Sequence, residues 1–118
     1  MSKPIATERR RYMRRNVSYY LPVMDKNTQQ VIGHVVDISP IGLMMDSKIS
    51  IPTNVRYDLS MDLMEEIAGQ ATVEFIGISK WCRPDPIQPF LYNVGFFIVD
   101  ITPGNLEVVN IIAEKYGR

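Results

Sequence analysis

Arginine is the side chain that this sequence gathers most tightly. The stretch Glu8-Arg9-Arg10-Arg11-Tyr12-Met13-Arg14-Arg15 holds five guanidinium groups, and the Arg-x-x-x-Arg spacing occurs in it twice, as Arg10 with Arg14 and as Arg11 with Arg15. A guanidinium is a planar fork of five N–H donors. It can grip a phosphate through two parallel bonds, meet the O6 and N7 acceptors of guanine, or stack on a purine face. A lysine ammonium does only the first of these. The second cluster is Asp37-Ile38-Ser39-Pro40-Ile41-Gly42. In an extended chain Asp37 and Ser39 share one face. A carboxylate there can accept bonds from the N1–H and 2-amino groups of a guanine, beside a hydroxyl that donates or accepts. Gly42 is expected to supply a positive-φ turn into the next strand. Taken without the arginines, the same hexapeptide is a strand-ending Asx or Ser turn completed by Pro40.

Catalytic chemistry is thinly supplied. The one histidine, His34, lies inside an expected strand with no neighbouring cysteine or carboxylate in sequence to orient it, so it is assigned to structure. The single cysteine, Cys82, has no second thiol or histidine behind it. It can form neither an internal disulfide nor a Cys-based metal site, and packing is its expected role. Asp58, Asp62, Glu65 and Glu66 read as a solvated strand face and the turn after it. Neither an enzyme nor a metal site is expected.

The elements that must position the two clusters follow from periodicity. Val55, Tyr57, Leu59, Met61 and Leu63 alternate with polar residues, the pattern of a half-buried strand. The same alternation runs through Val17, Tyr19, Leu21 and Val23, and β-branched enrichment marks 31–38, 72–81 and 92–99. A short strand is expected after Gly42. Turn clusters separate these runs at 25–28, 39–42, 51–54 and from Arg83 to Pro89. Five or six short strands at this spacing predict an antiparallel sheet closed into a small barrel. The period then changes: Thr102 as N-cap, Pro103 at the first helical position, and Leu106, Val109, Ile112, Ala113 and Tyr116 at helical spacing predict one amphipathic helix over 103–116.

Composition bounds the partners. A chain of 118 residues, 46% hydrophobic, fits one domain with a core. No apolar run approaches the roughly 20 residues of a membrane span. Net charge is zero, yet residues 1–15 carry six basic side chains against one acidic, and the rest of the chain seven against twelve. A basic arm on an acidic body points to an anionic partner. The arginine pairs are not a secretory signal, because Pro22, Asp25 and Lys26 interrupt the apolar stretch that such a signal needs. A cytoplasmic protein is expected. A barrel that binds RNA or single-stranded DNA is disfavoured by the acidic strand face from Arg56 to Asp62.

An Arg-x-x-x-Arg arm, a strand, a turn, a second strand and then Asp-x-Ser-x-x-Gly resembles the PilZ domain, the bacterial receptor module for cyclic di-GMP. The resemblance covers nearly the whole chain and implies a mainly β fold: a six-stranded antiparallel barrel over 16–118 with a C-terminal helix, preceded by a basic arm at 1–15. It implies that Arg10 and Arg14 clamp the ligand, with Arg11 and Arg15 as the competing register, and that Asp37, Ser39 and Gly42 form the guanine-reading turn. Arg9 stands where the family uses arginine to hold two intercalated cyclic di-GMP molecules, so two ligands per chain are implied. Trp81 is placed either on a ligand base or as an aromatic plug in the barrel. The function implied is a stand-alone, monomeric cyclic di-GMP receptor that signals to a separate effector protein, with no other cofactor. The alternative is a nucleotide-independent adaptor of pilus or motility machinery.

Overall fold

The computed structural model describes residues 21–116. Six strands, β1 (Leu21–Asp25), β2 (Gln30–Ser39), β3 (Gly42–Ser47), β4 (Arg56–Ile67), β5 (Gln70–Pro84) and β6 (Tyr92–Asp100), precede one helix, α1 (Pro103–Tyr116). The strands are antiparallel and close into a barrel in the order β1-β2-β3-β6-β5-β4, sealed by pairing of Val23 in β1 with Met61 in β4. The expected six-stranded barrel and C-terminal helix are therefore the fold. The segments assigned to the basic arm and to the start of the first alternating run lie outside the described residues.

Alternation builds the interior. Val23, Met45, Leu59, Met61, Val73 and Val94 are fully buried, and Phe75 and Phe96 nearly so. Removing each such side chain from water is worth about 1.5–3 kcal/mol. The strand expected over 55–63 is shifted and longer. Val55 is exposed and precedes β4, Tyr57 is half-buried, and β4 runs on through Glu65 and Glu66 to Ile67. It can do so because a bulge absorbs the change in pattern: Met64 takes φ 67°, its N–H donating to Asp62 Oδ1 at 2.9 Å, while the register slips between Asp62 and Ile67. β5 likewise continues beyond Trp81 to Pro84, which pairs with Tyr92 at the strand's last position, where a missing N–H is tolerated. The turn expected from Arg83 therefore begins at Asp85.

The helix start is as expected. The Asn105 N–H donates to Thr102 Oγ1 at 3.2 Å, capping the first turn ahead of Pro103. The buried stripe is Val108, Val109 and Ile112, with Leu106 and Ala113 only half-buried. The reason is local: the Asn105 side chain docks on β5, accepting from Gln70 Nε2 at 2.7 Å and donating to the Glu74 carbonyl at 3.0 Å, which fixes the face that the helix turns inward. α1 packs against both β2 and β5, strands on opposite sides of the ring, so it crosses one end of the barrel. At the other end the β3–β4 connection folds back over the core. Ile51 is buried there, its N–H donating to Cys82 Sγ at 3.4 Å, and buried Ser79 donates to the Pro52 carbonyl at 2.6 Å. Cys82 thus has the packing role expected of it. With both ends covered and the interior filled, the surface left for a ligand is the outside of the barrel.

Candidate functional site

Asp37 and Ser39 reach the outside through a second bulge. In β2 the register with β3 shifts between Val35 and Asp37, so buried Val35 and Ile38 keep facing the core while Val36 and Asp37 are both exposed. The bulge sets Asp37 and Ser39 on one outer face, as their spacing predicts. The Ile38 N–H donates to Asp37 Oδ1 at 3.0 Å, which fixes the carboxylate against its own backbone. Ser39 organises the turn: its hydroxyl donates to the Gly42 carbonyl at 3.3 Å and accepts from the Ile41 N–H at 3.4 Å.

Gly42 is essential to this turn for a different reason from the one expected. Its φ is not positive; Gly69 is the one glycine in the left-handed region among the described residues. Pro40 fixes a negative φ at the head of the two-residue connection, which excludes the mirror-image turns that call for φ above zero. What Gly42 supplies is room. A Cβ there would collide with the backbone carbonyl of Phe96 in β6, against which the turn is pressed. A further bond, from the Ile98 N–H to the Ile41 carbonyl at 2.9 Å, holds the turn to that strand.

The register extends the site around the barrel. Asp37 pairs with Met44, Met44 with Gly95, and Gly95 with Trp81. The flanking residues Met45, Val94 and Phe96 face the core, so this row of four runs across the outer surface from β2 to β5. Three strand spacings put its ends about 14 Å apart. Trp81 is not a barrel plug. It is half-buried on the outer face, its indole lying on Gly95 so closely that a Cβ there would overlap the ring. The Arg83 guanidinium stands over the same indole, 4.3 Å from its centroid. Next to this pair, Lys80 Nζ lies 5.6 Å from the ring centroid of Phe97, which is exposed and pairs with Gly42. The Lys80–Phe97 pair therefore adjoins the turn that ends at Gly42, and the Trp81–Arg83 pair stands at the far end of the row. Arg83, Gly95 and Phe97 were not expected in the site. The Trp81-x-Arg83 spacing, which puts both side chains on one strand face, was the available signal. Gly95 and Phe97 come from a distant strand and become neighbours only through register.

Arg9, Arg10, Arg11, Arg14 and Arg15 lie outside the described residues. β1 begins at Leu21 opposite Val35 and runs antiparallel to β2, so its first residue stands at the end of the barrel that carries Asp37 and Ser39. Among the described residues no group of three or more His, Cys, Asp or Glu side chains could hold a metal ion, and no helix is long and apolar enough to cross a membrane. His34, half-buried in β2, pairs with Asp46 of β3.

A closed six-stranded antiparallel barrel with one helix across its end defines a class of small β-barrel domain. The PilZ domain model matches residues 8–114, and the chain belongs to the PilZ domain family. No curated protein sequence matches it. Among solved structures, the Bacillus subtilis inhibitor of motility (MotI/DgrA) superposes with a TM-score of 0.68 at 15% identity, over 92% of this chain and 51% of that one. The chain thus spans about half the length of that structure, and the likeness is one of fold.

Proposed function

We propose that this protein is a cyclic di-GMP receptor without catalytic activity, which binds the nucleotide between its arginine-bearing N-terminal segment and the outer face of the barrel and signals to a partner protein. The observation that carries the proposal is the placement of Asp37 and Ser39 side by side on that face, at the end from which the arginine-bearing segment enters β1. The ligand has two phosphates and two guanines. Asp37 offers a carboxylate to a guanine edge, while Arg10 and Arg14, with Arg9 and Arg11 beside them, neutralise phosphates that the acidic barrel would otherwise repel. Reach is sufficient: six residues lie between Arg14 and Leu21, and an extended chain covers about 3.3 Å per residue, more than the length of the Asp37-to-Trp81 row. Binding would order the segment against the barrel, and that closed form, differing in surface from the free form, is what a partner reads. Arg9 supports two ligands per chain. Control of motility is the output that we propose, by analogy with the inhibitor of motility whose fold it shares.

Calorimetric titration of the full chain with cyclic di-GMP, with GTP and cyclic di-AMP as controls, tests this reading. Saturable binding selective for cyclic di-GMP is expected, and Arg10→Ala or Arg14→Ala should weaken it by about 2 kcal/mol with thermal stability unchanged. Absence of binding would overturn the receptor reading in favour of a nucleotide-independent adaptor.

A further inference from the structure

The indole of Trp81 is not a bare surface. The backbone of Gly95 lies against the indole, and the exposed Arg83 guanidinium stands over the ring at 4.3 Å. Trp81 and Arg83 are two residues apart on one strand, and the partner of Arg83 across β6 is Asn93, also turned outward. Arg83 therefore stands between the indole and solvent, its guanidinium carbon over the ring and the side chain exposed.

We infer that Arg83 is a ligand-contacting residue: its guanidinium, held over the Trp81 indole, is the platform on which a purine of the ligand stacks, while its edge N–H groups meet an adjacent phosphate or the O6/N7 acceptors of the base. This rests on the cyclic di-GMP reading above and adds to it a binding residue that belongs to the barrel itself rather than to the N-terminal segment. The chemistry follows from the group. A guanidinium is delocalised and weakly hydrated, so it stacks on π-systems on both faces without losing its in-plane donors. A side chain already stacked on an aromatic has little rotamer freedom left to lose on binding, which lowers the cost of recognition. The layers, from the barrel outward, are Gly95, Trp81, Arg83 and the purine. The opposite geometry, in which Arg83 is a cover that must be displaced before the base reaches Trp81, predicts the opposite sign on removing it.

The test is titration of the full-length chain and its Arg83→Ala, Arg83→Lys and Trp81→Phe variants with cyclic di-GMP, with thermal unfolding and tryptophan emission recorded for each. Arg83 is exposed, so Arg83→Ala should unfold at the temperature of the parent. Its affinity should fall about tenfold, the usual effect of removing one stacked partner. Arg83→Lys should recover less than half of that loss, because it restores the charge but not the plane. Unchanged or tighter binding by Arg83→Ala would overturn the platform in favour of a cover. Full recovery by Arg83→Lys would overturn stacking in favour of charge alone. Failure of the parent chain to bind cyclic di-GMP would instead bring down the receptor reading, and the platform with it.

Discussion

The two ends of the surface row are built on opposite plans. At the β2 end, Asp37 and Ser39 are short side chains held by bonds to backbone within a few residues, and the turn is pressed against the Phe96 carbonyl through the absence of a side chain at Gly42. At the β5 end, Trp81 is a large side chain spread over a second missing side chain, that of Gly95, and stiffened by Arg83. Both ends need a glycine on a neighbouring strand, but what each glycine admits differs: a carbonyl that the sheet holds in place in one case, an aromatic ring with rotatable bonds in the other. The first end is rigid because its backbone has nowhere to go, and the second because its side chains fill each other's space.

That difference ranks the effects of substitution. Gly42→Ala should be the most damaging, since the new methyl meets a main-chain oxygen fixed by pairing of β6 with both β3 and β5. A loss of about 2–3 kcal/mol in chemical denaturation is expected, together with impaired nucleotide binding. Gly95→Ala presents the same methyl to a ring that can swing aside. About 1 kcal/mol is expected, with tryptophan emission moved to the red as the indole lifts into water. Equal losses for the two variants would show that the ends are not built differently. The smallest effect should not discriminate between the ends. Tyr57 packs edge-on against Phe96, with ring centroids 5.8 Å apart and planes at 79°; Phe96 follows Gly95 on β6, and its carbonyl is the one against which Gly42 is pressed. Burial first, and then the charge of Asp25, hold the phenol above its ordinary value of 10.0. The folded state thus keeps this proton more tightly than the unfolded state, so the contribution of Tyr57 to stability is constant below its ordinary value and declines as pH rises past it. Lys26 is also raised, chiefly by its bond to Glu74, and adds to the same decline above its ordinary value of 10.5. Tyr57→Phe should give a shallower alkaline limb in a stability-against-pH series, with binding at neutral pH unaltered.

The same contrast explains what could be read before any coordinates. The Asp37–Gly42 turn is local, so residue type and spacing were enough to mark it, and even its one error, a positive φ at Gly42, concerned a reason rather than a role. The alternation of Leu59, Met61 and Leu63 was equally plain, because a single strand with one buried face shows its period directly. What stayed hidden depends on pairing. The bulges at Val36 and Met64 shift register by an amount that no local pattern encodes, and the extension of β5 through Arg83 to Pro84 runs against the turn signal of its prolines. Trp81 could not be placed on Gly95 without knowing that β5 and β6 pair with an irregularity between Ser79 and Trp81. The helix stripe was misassigned at Leu106 for a similar reason: the inward face is set by the docking of Asn105 on β5.

The strand order β1-β2-β3-β6-β5-β4 has a kinetic consequence. β3 must wait for β6, with two long strands intervening in the chain, and β1 is sealed only when β4 arrives. Both closures lose loop entropy before any contact compensates for it, which is the mark of a slowly folding topology. The Asp37–Met44–Gly95–Trp81 row crosses the β3–β6 seam, so it does not exist in any partly assembled hairpin. Competence to recognise a ligand on this face therefore arrives late and all at once, and a chain that has not finished folding would carry the motif residues without the surface that gives them meaning.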